Sequence, residues 1–391
     1  MDSKQKNKIL ILTGIFPPDI GGPATILEAL MKSLGEHGFD VKLLTYSDES
    51  ESDRKDVFRV KRNQFFICRY FKYLFAAFKL AKSADVIYVT DIYSVGYFAY
   101  LLKKILGKKY IVRFAGDSAW ETAVANGWTT DYIVDFQDKT YNSRIEKQKA
   151  RRKRILVSAD KVIAVSNFMA GLAQKIGVVN EKIEVIYNAV DFTKEKFDPK
   201  RVSEIKSQFG PKKLIATACR LTPWKGVDGI IKILPELKSK IEDVHLLVLG
   251  DGPELDNLKK LVEEKSMTEN VSFLGRVKRE DAFNYFKAAD IFILNSNYEG
   301  LSHTLLEVMD VDTPIITTGA GGNPEVIEDG KSGLLVGYNN NKELSAAALK
   351  ILTDEVFARS LAANAKEKLK NFNWSKTVEQ TIGLLNEISN G

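Results

Sequence analysis

Short apolar runs that alternate with helix-forming segments constrain the fold of this chain more than any other feature. A buried strand needs only about four to eight apolar residues, and a helix between successive strands makes those strands parallel. The predicted strands are Lys8–Phe16, Val41–Tyr46, Phe58–Arg62, Val86–Asp91, Tyr110–Phe114, Lys161–Ser166, Ile183–Tyr187, Leu214–Arg220, Val244–Leu249, Val271–Gly275, Ile291–Leu294 and Pro314–Thr317. We therefore predict an α/β fold built on doubly wound parallel sheets with helices on both faces.

The length of the chain and a polar interruption predict two domains. The chain has 391 residues, which is more than one hydrophobic core usually serves. A polar segment, residues 193–210, separates the two series of strands. We predict a first domain at residues 1–198 and a second at residues 199–372, followed by an amphipathic segment, residues 373–391.

Composition excludes several classes of protein. Hydrophobic residues make up 45% and charged residues 28% of the chain, and no uncharged apolar run is long enough to span a bilayer. The polar N-terminus, residues 1–8, lacks the pattern of a secretory signal. Two cysteines, Cys68 and Cys219, provide neither a disulfide framework nor a metal cluster, and both lie in apolar segments. We expect buried thiols and a cytoplasmic location.

The net charge of +6 is unevenly distributed along the chain. Residues 57–113 contain 12 Lys or Arg and 2 Asp, and a second basic cluster lies at residues 147–154. Neither belongs to a nucleic-acid recognition module, so we predict no nucleic-acid partner. The second cluster is interpreted as a solvated helix face or as a contact with the phosphate groups of lipids or of an anionic acceptor.

Residues 65–82 have the pattern of an aromatic, basic helix. Its basic residues fall in one sector and leave a broad apolar face. These residues are Arg69, Lys72, Lys79 and Lys82. Two interpretations stay open: a helix that packs on the core with a solvated stripe, or a helix attracted to an anionic membrane surface. In the second case we expect salt-sensitive peripheral association without insertion.

A strand, a glycine loop and a helix start follow one another at residues 291–307. Gly300 lies in the loop, and Ser302 is a candidate N-cap of the helix. Because the first N–H groups of a helix lack internal partners, this site suits a phosphate. Glu299 and Glu307 would repel a phosphate, so we expect them to face hydroxyls of a sugar and a ribose at opposite ends of one ligand. The alternative is one loop glutamate and one solvated helix glutamate.

Two cations follow the predicted strand Leu214–Arg220. Arg220 offers a planar fork for phosphate, and Lys225 offers a point charge. Together they would neutralise a diphosphate, both when it is bound and when it leaves. The alternative is a chance placement of two surface cations.

These features resemble the retaining GT-B glycosyltransferases of the group 1 family (family 4). Glu299 and Glu307 match the EX7E motif of that family, and Arg220 and Lys225 match its R-x4-KG pattern. Two further segments resemble family motifs, residues 17–22 and residues 319–325. The resemblance covers essentially the whole chain. It implies two Rossmann-like domains that face each other across a cleft, with the acceptor held by the first domain and the donor by the second. The terminal helix, residues 373–391, would complete the first domain.

The resemblance also implies individual roles. Glu299 would orient the donor sugar, Glu307 would hold the ribose, and Arg220 and Lys225 would stabilise the leaving diphosphate. The other residues on the donor side would be Gly21, Gly22, Gly252, Arg276, Val277, Gly300, Leu301 and Ser302. No metal and no other cofactor is implied, since the two cations would take the place of a metal.

The chain departs from the family pattern on the acceptor side. Many relatives carry a histidine there, whereas the histidines of this chain are His37, His245 and His303. Asp117 is the candidate for a catalytic, acceptor-side polar group, and Glu121 is the second candidate.

We therefore expect a retaining transfer of a hexose-type sugar from a nucleoside-diphosphate sugar to a sugar or lipid-linked acceptor, in cell-surface polysaccharide or glycolipid assembly. An anionic membrane surface is a further candidate partner, which would place the enzyme peripherally on the inner face of the membrane. Two alternatives stay open, a GT-B sugar-nucleotide epimerase and a catalytically silent sugar-nucleotide-binding protein. The epimerase would need acid and base residues that the histidine-poor first half does not offer.

Overall fold

The computed structural model describes residues 7–19, 22–48, 54–190, 196–241 and 243–390. The chain forms two compact units, one of Met1–Tyr187 with Ser375–Gly391 and one of Asn188–Trp374. The division lies between Tyr187 and Asn188, whereas the sequence analysis placed it after residue 198. The observed division lies closer to the N-terminus than predicted because Val190 already belongs to the second unit, where its backbone N–H donates to the carbonyl of Phe372 at 3.4 Å.

A seven-stranded parallel sheet forms the centre of the first unit, in the strand order β3-β2-β1-β4-β5-β6-β7. Strands and helices are numbered in chain order. The strands are β1 (Lys8–Leu12), β2 (Asp40–Ser47), β3 (Val57–Lys61), β4 (Val86–Val89), β5 (Lys109–Phe114), β6 (Lys161–Ala164) and β7 (Ile183–Val185). Ile9 of β1 pairs with Val41 of β2 on one side and with Val86 of β4 on the other. Strands β2 and β3 are thus added on one side of β1, and strands β4 to β7 are added on the other.

Helices connect most of these strands. They are α1 (Gly22–Glu36), α2 (Phe66–Ala81), α3 (Gly96–Leu106), α4 (Ser118–Ala125), α5 (Ile133–Asp138), α6 (Ser143–Ser158) and α7 (Asn167–Ile176). Local sequence sets the ends of α7: the Ser166 hydroxyl accepts from the N–H of Met169 at 3.1 Å, and Gly177 ends the helix at a φ of 108°. Among the described residues, no helix combines the length and the hydrophobicity that crossing a membrane requires.

The second unit contains a six-stranded sheet in the order β10-β9-β8-β11-β12-β13, and its described pairings are parallel. Its strands are β8 (Lys213–Ala218), β9 (Val244–Leu249), β10 (Val271–Gly275), β11 (Ile291–Leu294), β12 (Ile315–Thr318) and β13 (Leu334–Val336). Its helices are α8 (Pro199–Phe209), α9 (Val227–Lys240), α10 (Leu255–Glu264), α11 (Arg279–Ala288), α12 (His303–Asp310), α13 (Asn323–Val326), α14 (Asn341–Thr353) and α15 (Glu355–Leu369). The two parallel-sheet units confirm the predicted fold class.

Burial explains which strands could be recognised from the sequence. Strands β4, β9, β11 and β12 are buried at every position. Strands buried on both faces read as continuous apolar runs. The sequence analysis missed β13, which has three residues and is only partly buried.

The final helix, α16 (Trp374–Asn390), packs on the first unit. Lys161 of β6 forms an ion pair with Glu387 at 3.2 Å, and the ammonium of Lys109 donates to the carbonyl of Ile388 at 3.2 Å. The first unit therefore contains both ends of the chain.

Candidate active site

The strand order of the second unit places one crevice at its topological switch point. Strands β9 and β10 lie on one side of β8, and strands β11, β12 and β13 lie on its other side. The direction in which successive strands are added therefore reverses between β8 and β11. Ligands of open parallel sheets bind beyond the carboxyl ends of the strands at such a point. The loops that follow β8 and β11 meet there.

An ion pair joins these two loops. The Nζ of Lys225, after β8, lies 2.6 Å from Oε1 of Glu299, after β11. Both side chains are largely buried, with 18% of Lys225 and 12% of Glu299 exposed. The fold thus brings together two residues that are 74 positions apart and that the sequence analysis assigned to the same ligand.

Backbone contacts hold the two loops against each other. The N–H of Asn297 donates to the carbonyl of Trp224 at 2.7 Å, and the amide of Asn295 donates to the carbonyl of Gly226 at 2.8 Å. Gly226 has a φ of 59°, and a Cβ on it would lie 2.1 Å from the carbonyl oxygen of Asn295. Only glycine fits this position, because both the backbone conformation and the space exclude a side chain.

A second glycine contact supports the backbone of Glu299. Its carbonyl accepts from the N–H of Gly322 at 2.9 Å. Gly321 has a φ of 62°, and a Cβ there would lie 2.1 Å from the same carbonyl oxygen. The turn after β12 therefore fixes the position of Glu299.

The start of α12 has the predicted capped form. The Ser302 hydroxyl accepts from the N–H of Leu305 at 3.3 Å, which confirms Ser302 as the N-cap. Gly300 and Leu301 are buried beside it, and the carbonyl of Leu301 accepts from the amide of Asn188 at 2.9 Å.

Glu307 lies in the second turn of α12 and is paired, not solvated. Its Oε1 accepts from Nε of Arg279, the first residue of α11, at 2.7 Å. The side chain of Glu307 is 13% exposed. Burial raises the pKa of Glu307, and the charge of Arg279 opposes this increase. Among the described residues, its Oε2 has no hydrogen-bond partner, so this oxygen is available to a ligand hydroxyl.

Arg220 differs from Lys225 in its surroundings. It follows β8 and is exposed, and no described side chain forms a hydrogen bond or ion pair with its guanidinium. An unpaired cation at the carboxyl end of β8 can bind an anion without first losing a protein partner.

The remaining predicted donor residues lie on neighbouring loops. Gly252, after β9, packs so closely on the loop after β8 that a Cβ would lie 2.3 Å from the carbonyl oxygen of Leu221. Arg276 and Val277 follow β10, where Arg276 is 74% exposed and lies 3.4 Å from Asp251. The carboxyl ends of β8, β9, β10 and β11 thus carry the predicted donor residues of this unit.

Asp117 occupies a structural position in the first unit. Its carboxylate has no exposed surface and caps α4 by accepting from the N–H groups of Ala119 and Trp120, at 3.0 and 3.3 Å. It also accepts from the amide of Gln137 at 3.0 Å and forms a buried ion pair with Arg152. These contacts occupy both oxygens, so in this structure Asp117 supports the loop and does not present a free carboxylate to an acceptor.

The other predicted residues of the first unit are less defined. Glu121 lies on the first turn of α4 and is partly exposed. Gly22 is the first residue of α1, and Gly21 lies outside the described residues. Within the described part of the chain, no group of three or more His, Cys, Asp or Glu is placed to hold a metal ion.

Comparison with protein families gives a consistent result for both halves of the chain. A family model described as Glycosyltransferase Family 4 matches residues 20–194, and one described as Glycosyl transferases group 1 matches residues 200–368. The chain belongs to the group 1, family 4 glycosyltransferases.

Two relatives of this glycosyltransferase align over nearly its full length. An uncharacterized glycosyltransferase of Methanocaldococcus jannaschii is 27% identical over 96% of this chain and 97% of its own. The N-acetyl-alpha-D-glucosaminyl L-malate synthase of Bacillus anthracis is 25% identical over 93% of both chains.

Solved structures share the fold of the glycosyltransferase. The sucrose-phosphate synthase of Thermosynechococcus elongatus superposes with a TM-score of 0.79 at 19% identity, over 98% of this chain and 99% of its own. Anabaena HepE, solved with UDP and glucose, gives a TM-score of 0.80 at 19% identity, over 97% of this chain and 100% of its own.

Sequence reasoning missed Arg279 in this glycosyltransferase. Its partner Glu307 is 28 positions away, on a different helix. One signal could have indicated it: Arg279 stands at the start of the helix that follows Arg276 and Val277, two of the predicted donor-side residues. The pairing itself depends on how α11 and α12 pack.

Proposed function

We propose that this glycosyltransferase moves a hexose-type sugar from a nucleoside-diphosphate sugar to an acceptor hydroxyl, with retention of configuration at the anomeric carbon. The Lys225–Glu299 ion pair at the switch point of the second unit carries this proposal. The pair brings a cation of the type that suits a phosphate and a carboxylate of the type that suits hydroxyls into one crevice, which supports a ligand in which a sugar is joined to a diphosphate.

Each residue has a defined part in the reaction. Arg220 and Lys225 bind the diphosphate and stabilise its charge as the bond to the sugar breaks, Glu299 orients the sugar, and Glu307 holds the ribose. The leaving phosphate takes the proton of the acceptor hydroxyl on the same face of the sugar. The protein contributes positioning and charge stabilisation and supplies no covalent nucleophile. The two cations take the place of a metal ion.

Two comparisons support a nucleotide-linked hexose as donor. The related structure of HepE holds UDP and glucose, and the relative from Bacillus anthracis is named for a glucosaminyl product. The acceptor in this proposal is a sugar or a lipid-linked sugar used for cell-surface polysaccharide or glycolipid. The positive charge of the first half of the chain supports an enzyme that acts at the cytoplasmic face of an anionic membrane, since residues 57–113 carry 12 Lys or Arg and only 2 Asp.

Release of nucleoside diphosphate tests the function. The protein is first screened by thermal shift against nucleoside-diphosphate sugars, because a donor that binds the native state raises its stability. Release is then followed with and without candidate acceptors. Acceptor-dependent release with an α-linked product from an α-linked donor is expected. A sugar nucleotide that is altered at a ring carbon without release indicates an epimerase, and binding without any conversion indicates a silent binding protein.

The two glutamates are expected to affect different kinetic constants. Glu307→Gln keeps the shape of the side chain but loses its charge, so the donor KM should rise because the ribose hydroxyl loses a charged acceptor. Glu299→Gln should mainly lower kcat, since its contacts strengthen as the sugar reacts. Steady-state kinetics at varied donor concentration separates the two effects. The opposite division would mean that the two ends of the donor are reversed.

The pairing with Arg279 predicts a pH dependence of donor binding. Glu307 binds a hydroxyl best as a carboxylate, and burial raises its pKa, so the donor KM should increase on acidification at a higher pH than for an ordinary glutamate. Arg279→Gln removes the charge that opposes the increase in the pKa of Glu307. The acid-dependent increase in the donor KM should therefore begin at a still higher pH. Arg359→Gln, which changes an exposed arginine of α15 outside the predicted donor site, is the control and should leave the pH dependence of the donor KM unchanged.

A further inference from the structure

Helix α2 exposes an unusual number of large apolar side chains. Five side chains on it or directly before it are more than half exposed. They are Phe65, Phe66, Ile67, Phe71 and Phe75. Single exposed apolar residues are ordinary, but a contiguous apolar patch marks a surface that binds something. Ile67, Phe71 and Phe75 are four residues apart and form one stripe along the helix.

The opposite face of α2 fixes this orientation. Tyr73, Ala77 and Ala81 are fully buried, and the Tyr73 hydroxyl donates to the carbonyls of Thr13 and Leu44 at 3.1 and 2.8 Å. The helix cannot rotate to hide its phenylalanines without breaking these contacts. The sequence analysis left a core-packing helix and a helix attracted to a membrane surface as alternatives. The structure shows that one face of α2 packs on the core and that the other face is exposed.

The charges of α2 favour an anionic partner. Lys72, Lys79 and Lys82 are exposed beside the apolar stripe, and residues 65–82 contain no Asp or Glu. Arg69, which the sequence analysis grouped with them, is partly buried. Its Cζ lies 5.6 Å from the ring centre of Tyr46, and its Nη1 donates to a backbone carbonyl.

The neighbouring helices extend this surface. Helix α3 packs against both α2 and α6, and its Lys104 and Ile105 are exposed. Arg151 of α6 is also exposed and adds positive charge beside α3, since its Cζ lies 5.1 Å from the ring centre of Tyr97. A second copy of the chain would place these like charges against one another, which opposes self-association through this face.

We propose that α2 docks this protein on an anionic bilayer by inserting the stripe Ile67–Phe71–Phe75, with Phe65 and Phe66, into the interfacial layer while its lysines contact the lipid phosphates. Aromatic and basic side chains on one amphipathic helix are the pattern of an interfacial anchor. This inference deepens the membrane part of the proposed function and rests on it, but it does not depend on sugar transfer. It replaces the expectation of association without insertion.

The chain supplies its own probe position. Cys68 lies on the exposed part of α2 and is not buried as the sequence analysis expected. The thiol of Cys219 is buried, which raises its pKa to about 12 and makes it unreactive near neutral pH. An environment-sensitive fluorophore can therefore be attached at Cys68 alone, and its emission should shift to the blue when vesicles of equal parts phosphatidylcholine and phosphatidylglycerol are added.

Salt separates insertion from surface attraction. Co-sedimentation of the unlabelled full-length protein is measured with the same vesicles at low salt and at about 1 M salt, where the Debye length is about 3 Å. We expect binding to weaken but to persist at high salt. Phe71→Ser with Phe75→Ser should reduce the high-salt partition coefficient about 100-fold or more, because each buried phenylalanine contributes about tenfold or more. Val356→Ser, at an 81% exposed site on α15, is the control and should bind like the wild type.

Several outcomes would overturn the proposal. Loss of all binding at high salt without a blue shift would leave only surface attraction, and equal binding by the serine variant would assign docking to another face. A concentration-dependent dimer that the serine variant abolishes would make a second copy the occupant. Absence of vesicle binding with a normal thermal shift by a donor sugar would remove the membrane partner but leave the proposed transferase activity intact.

Discussion

Arg220→Ala and Lys225→Ala, made together, are expected to lower kcat/KM by about two to four orders of magnitude. Each substitution removes a charge-assisted partner of the diphosphate, worth about 1.5–3 kcal/mol, and the two act on one group. If the losses add, the total is about 3–6 kcal/mol, although residues that share a ligand often depart from additivity. Lys225→Ala alone also frees Glu299 from its ion pair, so it should lower kcat as well as weaken donor binding.

Arg220→Ala alone should act differently from Lys225→Ala. Its guanidinium is exposed and not paired with Glu299, so its removal should raise the donor KM and lower kcat through the lost charge alone, while the Lys225–Glu299 ion pair stays intact. Lys232→Ala is the matched control for both, because Lys232 lies on α9 in an exposed ion pair with Asp228 at 2.6 Å, a kind of pair that contributes little. Wild-type kinetics in both single variants would refute the assignment of the diphosphate site.

Arg152→Ala should produce the largest loss of stability. Asp117 and Arg152 form an ion pair at 0% and 4% side-chain exposure. Removing one partner leaves a buried charge without its counterion, which costs about 3–5 kcal/mol. Urea unfolding followed by a signal from the first unit measures the free energy of unfolding. Arg359→Ala, in the exposed pair of Arg359 with Glu355, should have little effect.

A double variant separates the charge from the packing. Asp117→Asn with Arg152→Met removes both charges, keeps a side chain that caps α4 well, and fills the space of the arginine stem. It should recover much of the stability that Arg152→Ala loses. An equal loss in both variants would show that an unpaired buried carboxylate is not the cause, because the double variant removes that charge and still fills the space of the arginine stem.

Most of the fold was readable from the sequence because its signals are local. Buried parallel strands appear as short apolar runs, and the cap at Ser302 involves residues three positions apart. The residues after β8 and β11 could be assigned to one ligand because they match motifs of one glycosyltransferase family, and the structure shows that these two strands are neighbours in the sheet. The family matches show the same class of protein that these motifs indicated.

The tertiary structure decided what depends on partners that are distant in sequence. Asp117 is 35 positions from Arg152, and Arg279 is 28 positions from Glu307, so no local pattern reveals either ion pair. The pair with Arg152 buries the carboxylate of Asp117, whereas the pair with Arg279 orients the carboxylate of Glu307. The apolar face of α2 is another case, because hydrophobic periodicity does not tell whether other elements cover it. Sequence by itself determined most of the strands, the loops that follow them and the residue types at the strand ends. Packing determined which of those side chains are buried, paired or left exposed, because burial and pairing are properties of neighbours that only the folded chain brings together.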